Sequence, residues 1–161
     1  MIVNMFECLE SFEEVKRGHM QQILIVDDYE SGRLVLRARL EMLGYQCHEA
    51  GNGAEALNAI QSQHFDLVIT DHNMPVMTGL ELLQCLAERS ESQRPPVIFV
   101  SGHLSDDLRK AALRVGASAI LAKPYDDEEL TREITRIFKP LLNQSQKSTK
   151  QECRSGLQVN Q

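Results

Sequence analysis

The stretch "ILIVDDYES", Ile23 to Ser31, decides the fold. Four uninterrupted apolar residues read as a strand buried on both faces, the pattern of parallel sheets covered by helices on both sides. The run then meets two adjacent aspartates, Asp27 and Asp28. Neighbouring like charges disfavour each other's ionised form, so such a pair at a strand end calls for a counter-charge. A helical pattern follows: Leu36, Leu40 and Leu43 recur on one face, and Gly44 stops it.

The same unit repeats along the chain. "YQCHEA" (45–50) alternates and predicts an edge strand, and Asn52 with Glu55 caps a second helix to about Ser62. "DLVITD" (66–71) is a buried strand that again ends in an acid. Thr78 and Glu81 form a capping box for a helix with Leu80, Leu83 and Leu86 inward, and "RSESQRPP" (89–96) is a loop. "VIFVS" (97–101) is the fourth strand; Ser105 caps a helix with Leu108, Ala111, Ala112 and Val115 as its apolar face. "AILA" (119–122) is the fifth strand and leads into Lys123-Pro124. Asp126 with Glu129 caps a last helix carrying Leu130, Ile134, Ile137 and Leu141. Five strand–helix units over residues 21–143 predict a three-layer, doubly wound α/β domain with a five-stranded parallel sheet. The pattern alone leaves the strand order open.

The 161 residues are 42% hydrophobic and 25% charged, which suits one domain with tails. Trp is absent and aromatics are scarce, at 5%, so an aliphatic core is expected. The net charge of −6 argues against direct nucleic-acid or anionic-membrane binding, which need clustered Lys and Arg. Four scattered cysteines, Cys8, Cys47, Cys85 and Cys153, form no zinc pattern. With no secretory signal and no long apolar run, reduced thiols in a cytoplasmic protein are expected. Residues 1–20 read as an N-terminal extension in which Met5, Leu9, Phe12 and Val15 approach helical spacing. A docking helix, a homodimer contact and a dispensable tail all fit it. Residues 144–161 read as a polar, disordered tail.

Parallel α/β sheets bind ligands at the carboxyl ends of their strands. Those ends carry Asp27 and Asp28 on the first strand, Asp71 on the third, Ser101 on the fourth and Lys123 on the fifth. Three carboxylates outweigh one ammonium, and a hard divalent cation such as Mg²⁺ restores neutrality. The cation's natural further ligand is a phosphoryl group, which a carboxylate can accept as an acyl phosphate. The product's extra negative charge needs donors, and the Ser101 hydroxyl with nearby amides can move to supply them. His72, beside Asp71, is not expected to act directly, and His19, His48 and His64 read as surface residues.

Asp27-Asp28, "DHNMP" (71–75), Gly79, Ser101-Gly102 and "GASAILAKP" (116–124) together resemble the receiver domain of bacterial two-component response regulators, over residues 21–143. The resemblance implies the flavodoxin-like strand order 2-1-3-4-5. It implies Asp71 as the phosphoacceptor and Mg²⁺ held by Asp28, by Asp27 through water, by Asp71 and by the Asn73 backbone carbonyl. It further implies Lys123 as partner of Asp71 and then of the phosphoryl, Ser101 as the switch hydroxyl and a cis Lys123–Pro124 bond. Asn73 and His103 would tune access of the hydrolytic water. One position departs from the pattern: Ile120 stands where the family usually has Tyr or Phe.

The expected function is a stand-alone receiver that takes a phosphoryl group from a sensor histidine kinase or histidine phosphotransfer protein and signals to a downstream protein. It would not be an enzyme with an external substrate. Two alternatives stay open at this stage: a binding-only receiver that is never phosphorylated, and a fragment of a longer regulator. An aspartyl-phosphate phosphohydrolase is disfavoured, because Asn73 stands where such enzymes carry a second acid.

Overall fold

A computed structural model describes residues 20–139. The expectations for residues 1–19, for Leu141, Cys8, Cys153 and His19, and for the tail at 144–161 lie outside the described residues. Strands β1 (Gln22–Val26), β2 (Gln46–Ala50), β3 (Leu67–Asp71), β4 (Val97–Ser101) and β5 (Ala119–Ala122) alternate with helices. The helices are α1 (Glu30–Met42), α2 (Gly53–Ser62), α3 (Gly79–Ala87) and α4 (Asp106–Val115), followed by α5 over 127–139. A short 3₁₀ turn, Glu91–Gln93, lies in the loop before β4. All pairings are parallel, in the order β2-β1-β3-β4-β5. This is the flavodoxin-like order that the resemblance implies.

Alternation along β1 splits the core in two. Leu24 and Val26 face one side with Val68 and Phe99, under Ala56, Ile60, Leu82, Leu83, Leu86 and Ala112 of α2, α3 and α4. Ile23 and Ile25 face the other with Ile69, Ile98 and Leu121, under Leu40, Leu130, Ile134 and Phe138 of α1 and α5. The central strands β1, β3 and β4 are apolar on both faces because each face has its own helical cover.

The helix starts follow local chemistry. Thr78 and Glu81 make a full reciprocal capping box at α3. Asn52 accepts the Glu55 N–H at 3.0 Å, but the Glu55 carboxylate accepts in return from the N–H of Gly51 at 2.7 Å, one residue further out. Ser105 and Asp126 accept from Leu108 and Glu129 at 3.2 and 2.7 Å. Gly116 ends α4 with φ 109°, a left-handed value that suits glycine.

Three expectations change. Leu43 does not complete an inward stripe: it is the C-cap of α1 and is 56% exposed, because the chain leaves helical geometry there. In α3 the deeply buried partner of Leu83 and Leu86 is Leu82, while Leu80 packs at the margin. His48 is not a surface residue: it is half-buried on β2, edge-on to Phe65 at 5.3 Å, because the edge strand is partly covered by the turn after α2. His64 is largely exposed, as expected, with its ring 3.3 Å from Asp66. Among the described residues, no helix is long and apolar enough to cross a membrane.

Candidate functional site

Asp71, Thr70 and Ser101 are the buried polar residues among those described, and two of the three end strands. Asp71 closes β3, is 8% exposed, and sits opposite Val100 in register. A buried carboxylate must be paired. Its Oδ1 lies 2.7 Å from Lys123 Nζ, and its Oδ2 accepts the Asn73 N–H at 2.8 Å. The Thr70 hydroxyl donates to the Asp71 carbonyl at 3.0 Å.

Lys123 follows β5 directly, and its backbone N–H donates to the Ser101 carbonyl at 2.9 Å. Its ammonium also donates to Asp27 Oδ2 at 2.8 Å. One cation therefore joins the carboxylates that follow β1 and end β3. Burial pulls the Lys123 pKa down, but the hydrogen bonds to Asp27 and Asp71, with both charges, leave it above the ordinary lysine value. The Lys123–Pro124 peptide is cis.

Asp27 continues the ladder, its N–H donating to Ala50 O at 3.2 Å, while its Oδ1 accepts the Tyr29 N–H at 2.9 Å. Asp28 beside it is exposed. The fully buried Ser101 hydroxyl accepts the N–H of exposed His103 at 3.2 Å, so the residue after next to the strand end is held by that oxygen. Asn73 is exposed at the mouth. His72 packs its ring on Phe99 at 5.4 Å, its Nδ1 buried without a partner. Ile120 is partly buried against the core cluster that contains Phe99.

The loop after Asp71 is tightly built. Met77 N–H donates to Pro75 O at 2.7 Å around Val76, whose φ is 69°. A β-branched residue at positive φ is strained, and this one is 85% exposed. Gly79 N–H donates to His72 O at 3.0 Å, and a Cβ on Gly79 would meet the Asp71 carbonyl oxygen at 2.2 Å. Glycine there lets α3 begin directly against the backbone of Asp71.

Among the described residues, no three His, Cys, Asp or Glu side chains form a ready-made metal cluster. The structure thus brings Asp27, Asp71 and Lys123 into direct contact, places Ser101 one backbone hydrogen bond from Lys123, and leaves Asp28, Asn73 and His103 at the exposed rim. The sequence reading passes over Arg33, whose Nη1 donates to the Asp27 carbonyl at 2.6 Å. A side chain that serves a backbone oxygen leaves no motif.

An acidic crest bridged by lysine, on a doubly wound parallel sheet, defines a flavodoxin-like α/β domain with a strand-end site. The chain belongs to the response regulator receiver domain family, whose sequence pattern matches residues 23–135. Chemotaxis protein CheY of Pseudomonas aeruginosa is 34% identical over 118 residues, covering 73% of this chain and 95% of that protein. Sensor protein EvgS of Escherichia coli K12 is 36% identical over 115 residues, 71% of this chain; the match spans 9% of that much longer protein. Response regulator protein TrrA of Thermotoga maritima, solved in complex with Mg²⁺ and BeF, superposes with a TM-score of 0.66 at 29% identity, covering 73% of this chain and 99% of that one. Membership places the chain among the receivers of two-component phosphorelay signalling, a family of phosphoacceptors and not of enzymes that turn over an external substrate.

Proposed function

We propose that Asp71 is the phosphoacceptor of this receiver and that transfer depends on Mg²⁺. The observation that carries the reading is the Lys123 ammonium, 2.7 Å from Asp71 and 2.8 Å from Asp27, which already marks the space between these carboxylates as one for a cation. The donor set fits Mg²⁺, since this ion needs only one or two carboxylates and completes its shell with water and phosphoryl oxygens. Asp28, Asp71 and the Asn73 carbonyl would hold it, with Asp27 acting through water. Bound there, it would neutralise charge on the phosphoryl oxygens.

A carboxylate oxygen of Asp71 attacks the phosphorus of a phosphohistidine on a histidine kinase or phosphotransfer protein. The O–P bond forms as the P–N bond breaks, and the electron pair returns to the imidazole nitrogen. Lys123 holds the acceptor carboxylate and then an equatorial phosphoryl oxygen. The Ser101 hydroxyl turns from the His103 N–H towards the new oxygens, which releases the β4–α4 loop. Ile120 offers no ring to follow that movement, so the output runs through this loop to a downstream protein. Asn73 and His103, at the mouth, govern the approach of hydrolytic water.

Incubation with Mg²⁺ and acetyl phosphate, followed by intact mass, tests the reading. One hydroxylamine-labile phosphoryl per chain is expected, absent in Asp71→Asn and absent without Mg²⁺. An unmodified wild-type chain would leave the binding-only alternative in its place.

A further inference from the structure

We infer that Arg33 is the positioning residue that aims the Asp27–Asp28 pair. The inference rests on the reading of those aspartates as Mg²⁺ ligands. Arg33 lies in the first turns of α1, and its side chain is only 16% exposed. Nη1 donates to the Asp27 carbonyl at 2.6 Å, while Nε reaches Glu49 Oε2, on β2, at 3.4 Å. Glu49 is held in turn by Arg37, at 3.4 Å.

The Asp27 carbonyl belongs to the peptide plane that joins Asp27 to Asp28. That plane is rigid and spans both Cα atoms, so holding its oxygen restrains the points from which both side chains leave the backbone. Tyr29, the N-cap of α1, makes no side-chain cap, and the Asp27 carboxylate is shared between the Tyr29 N–H and the Lys123 ammonium, so Arg33 is the side chain that holds the carbonyl end of Asp27. The guanidinium is suited to the task because its rigid fork serves a carbonyl and a carboxylate at once; a lysine ammonium is a point charge on a flexible stem.

Charge and position make opposite forecasts. If Arg33 acted through charge, its removal would relieve repulsion and tighten Mg²⁺, and Arg33→Lys would change nothing. If it acts by holding the peptide plane, Arg33→Lys and Arg33→Gln both loosen Mg²⁺.

Calorimetric titration of the full chain with MgCl₂ decides. Both variants are expected to bind Mg²⁺ roughly tenfold more weakly than wild type, the usual scale for a residue that orients a metal ligand. With acetyl phosphate, the half-saturating Mg²⁺ concentration should rise by a like factor, while the rate at saturating Mg²⁺ stays within about twofold. Wild-type affinity in Arg33→Lys, or tighter binding in Arg33→Gln, overturns the role of Arg33 alone. A wild-type chain that binds no Mg²⁺, or binds it no better than Asp28→Asn, overturns the metal reading and this inference with it. Arg33→Lys keeps the charge in place and decides the matter if Arg33→Gln does not fold.

Discussion

Lys123 and Asp27, 96 residues apart, meet at 2.8 Å, and the same ammonium lies 2.7 Å from Asp71. This one side chain ties the loops after β1 and β5 to the end of β3. It also sets how the domain responds to pH. The pKa of Lys123 is raised, so its contribution to stability is fully present below the unfolded lysine pKa and is lost as pH rises through the folded one. In urea titrations at increasing alkaline pH, wild type should lose stability more steeply than Lys123→Met. Parallel curves would show that the bridge contributes nothing. In the same variant, phosphorylation by acetyl phosphate should slow by about a hundredfold, as for loss of one charge-stabilising donor.

Gly79 and Gly102 offer a paired test of the Asp71 loop. A Cβ on Gly79 would lie 2.2 Å from the Asp71 carbonyl oxygen and 3.1 Å from His72 Cα, both backbone atoms that do not swing aside. Gly79→Ala should therefore cost about 1–3 kcal/mol, as overpacking does. A Cβ on Gly102 meets nothing within 4 Å, so Gly102→Ala should fall within about 0.5 kcal/mol of wild type. Urea midpoints compare them, and equal losses would mean that the loop yields.

Cys47 is 8% exposed on β2, and burial pushes its thiol up to about 11. Cys85, on α3, is only partly covered. Iodoacetamide at pH 8 should label Cys85 in the native protein and reach Cys47 only as the chain unfolds, because the thiolate is the nucleophile. Peptide mass analysis of a labelling time course reads this directly; native labelling of Cys47 at the rate of Cys85 contradicts it.

Arg94 closes the far end of α3. Its Nη2 donates to Ala87 O, the last carbonyl of the helix, at 2.5 Å and to Arg89 O, just beyond the C-cap, at 3.1 Å. Arg94→Ala should cost about 2 kcal/mol, the range for charged hydrogen bonds. Arg94→Lys should recover part of that, since one ammonium cannot reproduce the fork. Thermal unfolding of the three proteins gives the order; a Lys variant no better than Ala would assign the effect to packing.

How much of this was legible beforehand depended on where the information lies. Apolar runs and caps are local, so "ILIV", "DLVIT" and "VIFV" marked buried strands, and Thr78 with Glu81 marked the start of α3, all as found. Asp71 and Lys123 were legible because a charge at the end of an apolar strand has few other excuses. Leu43 and His48 misled because helical spacing cannot tell where a helix lets go, and alternation cannot tell what covers an edge strand.

By itself, then, the sequence determined the class of fold, its five strand–helix units and the chemistry available at the strand ends, since these depend on periodicity and residue type alone. Beyond the Lys123–Asp71 pair that the resemblance implied, only the tertiary structure decided which charges touch. Asp27, Asp71 and Lys123 become neighbours because β1 and β3 pair in register and β5 stands one strand beyond β4. Arg33 reaches a backbone oxygen rather than a side chain, and Gly79 is needed because another backbone passes close by. Contacts of that kind are made by main-chain atoms, which every residue shares, so the side-chain pattern marks Gly79 as a motif glycine without saying what it clears, and says nothing of Arg33.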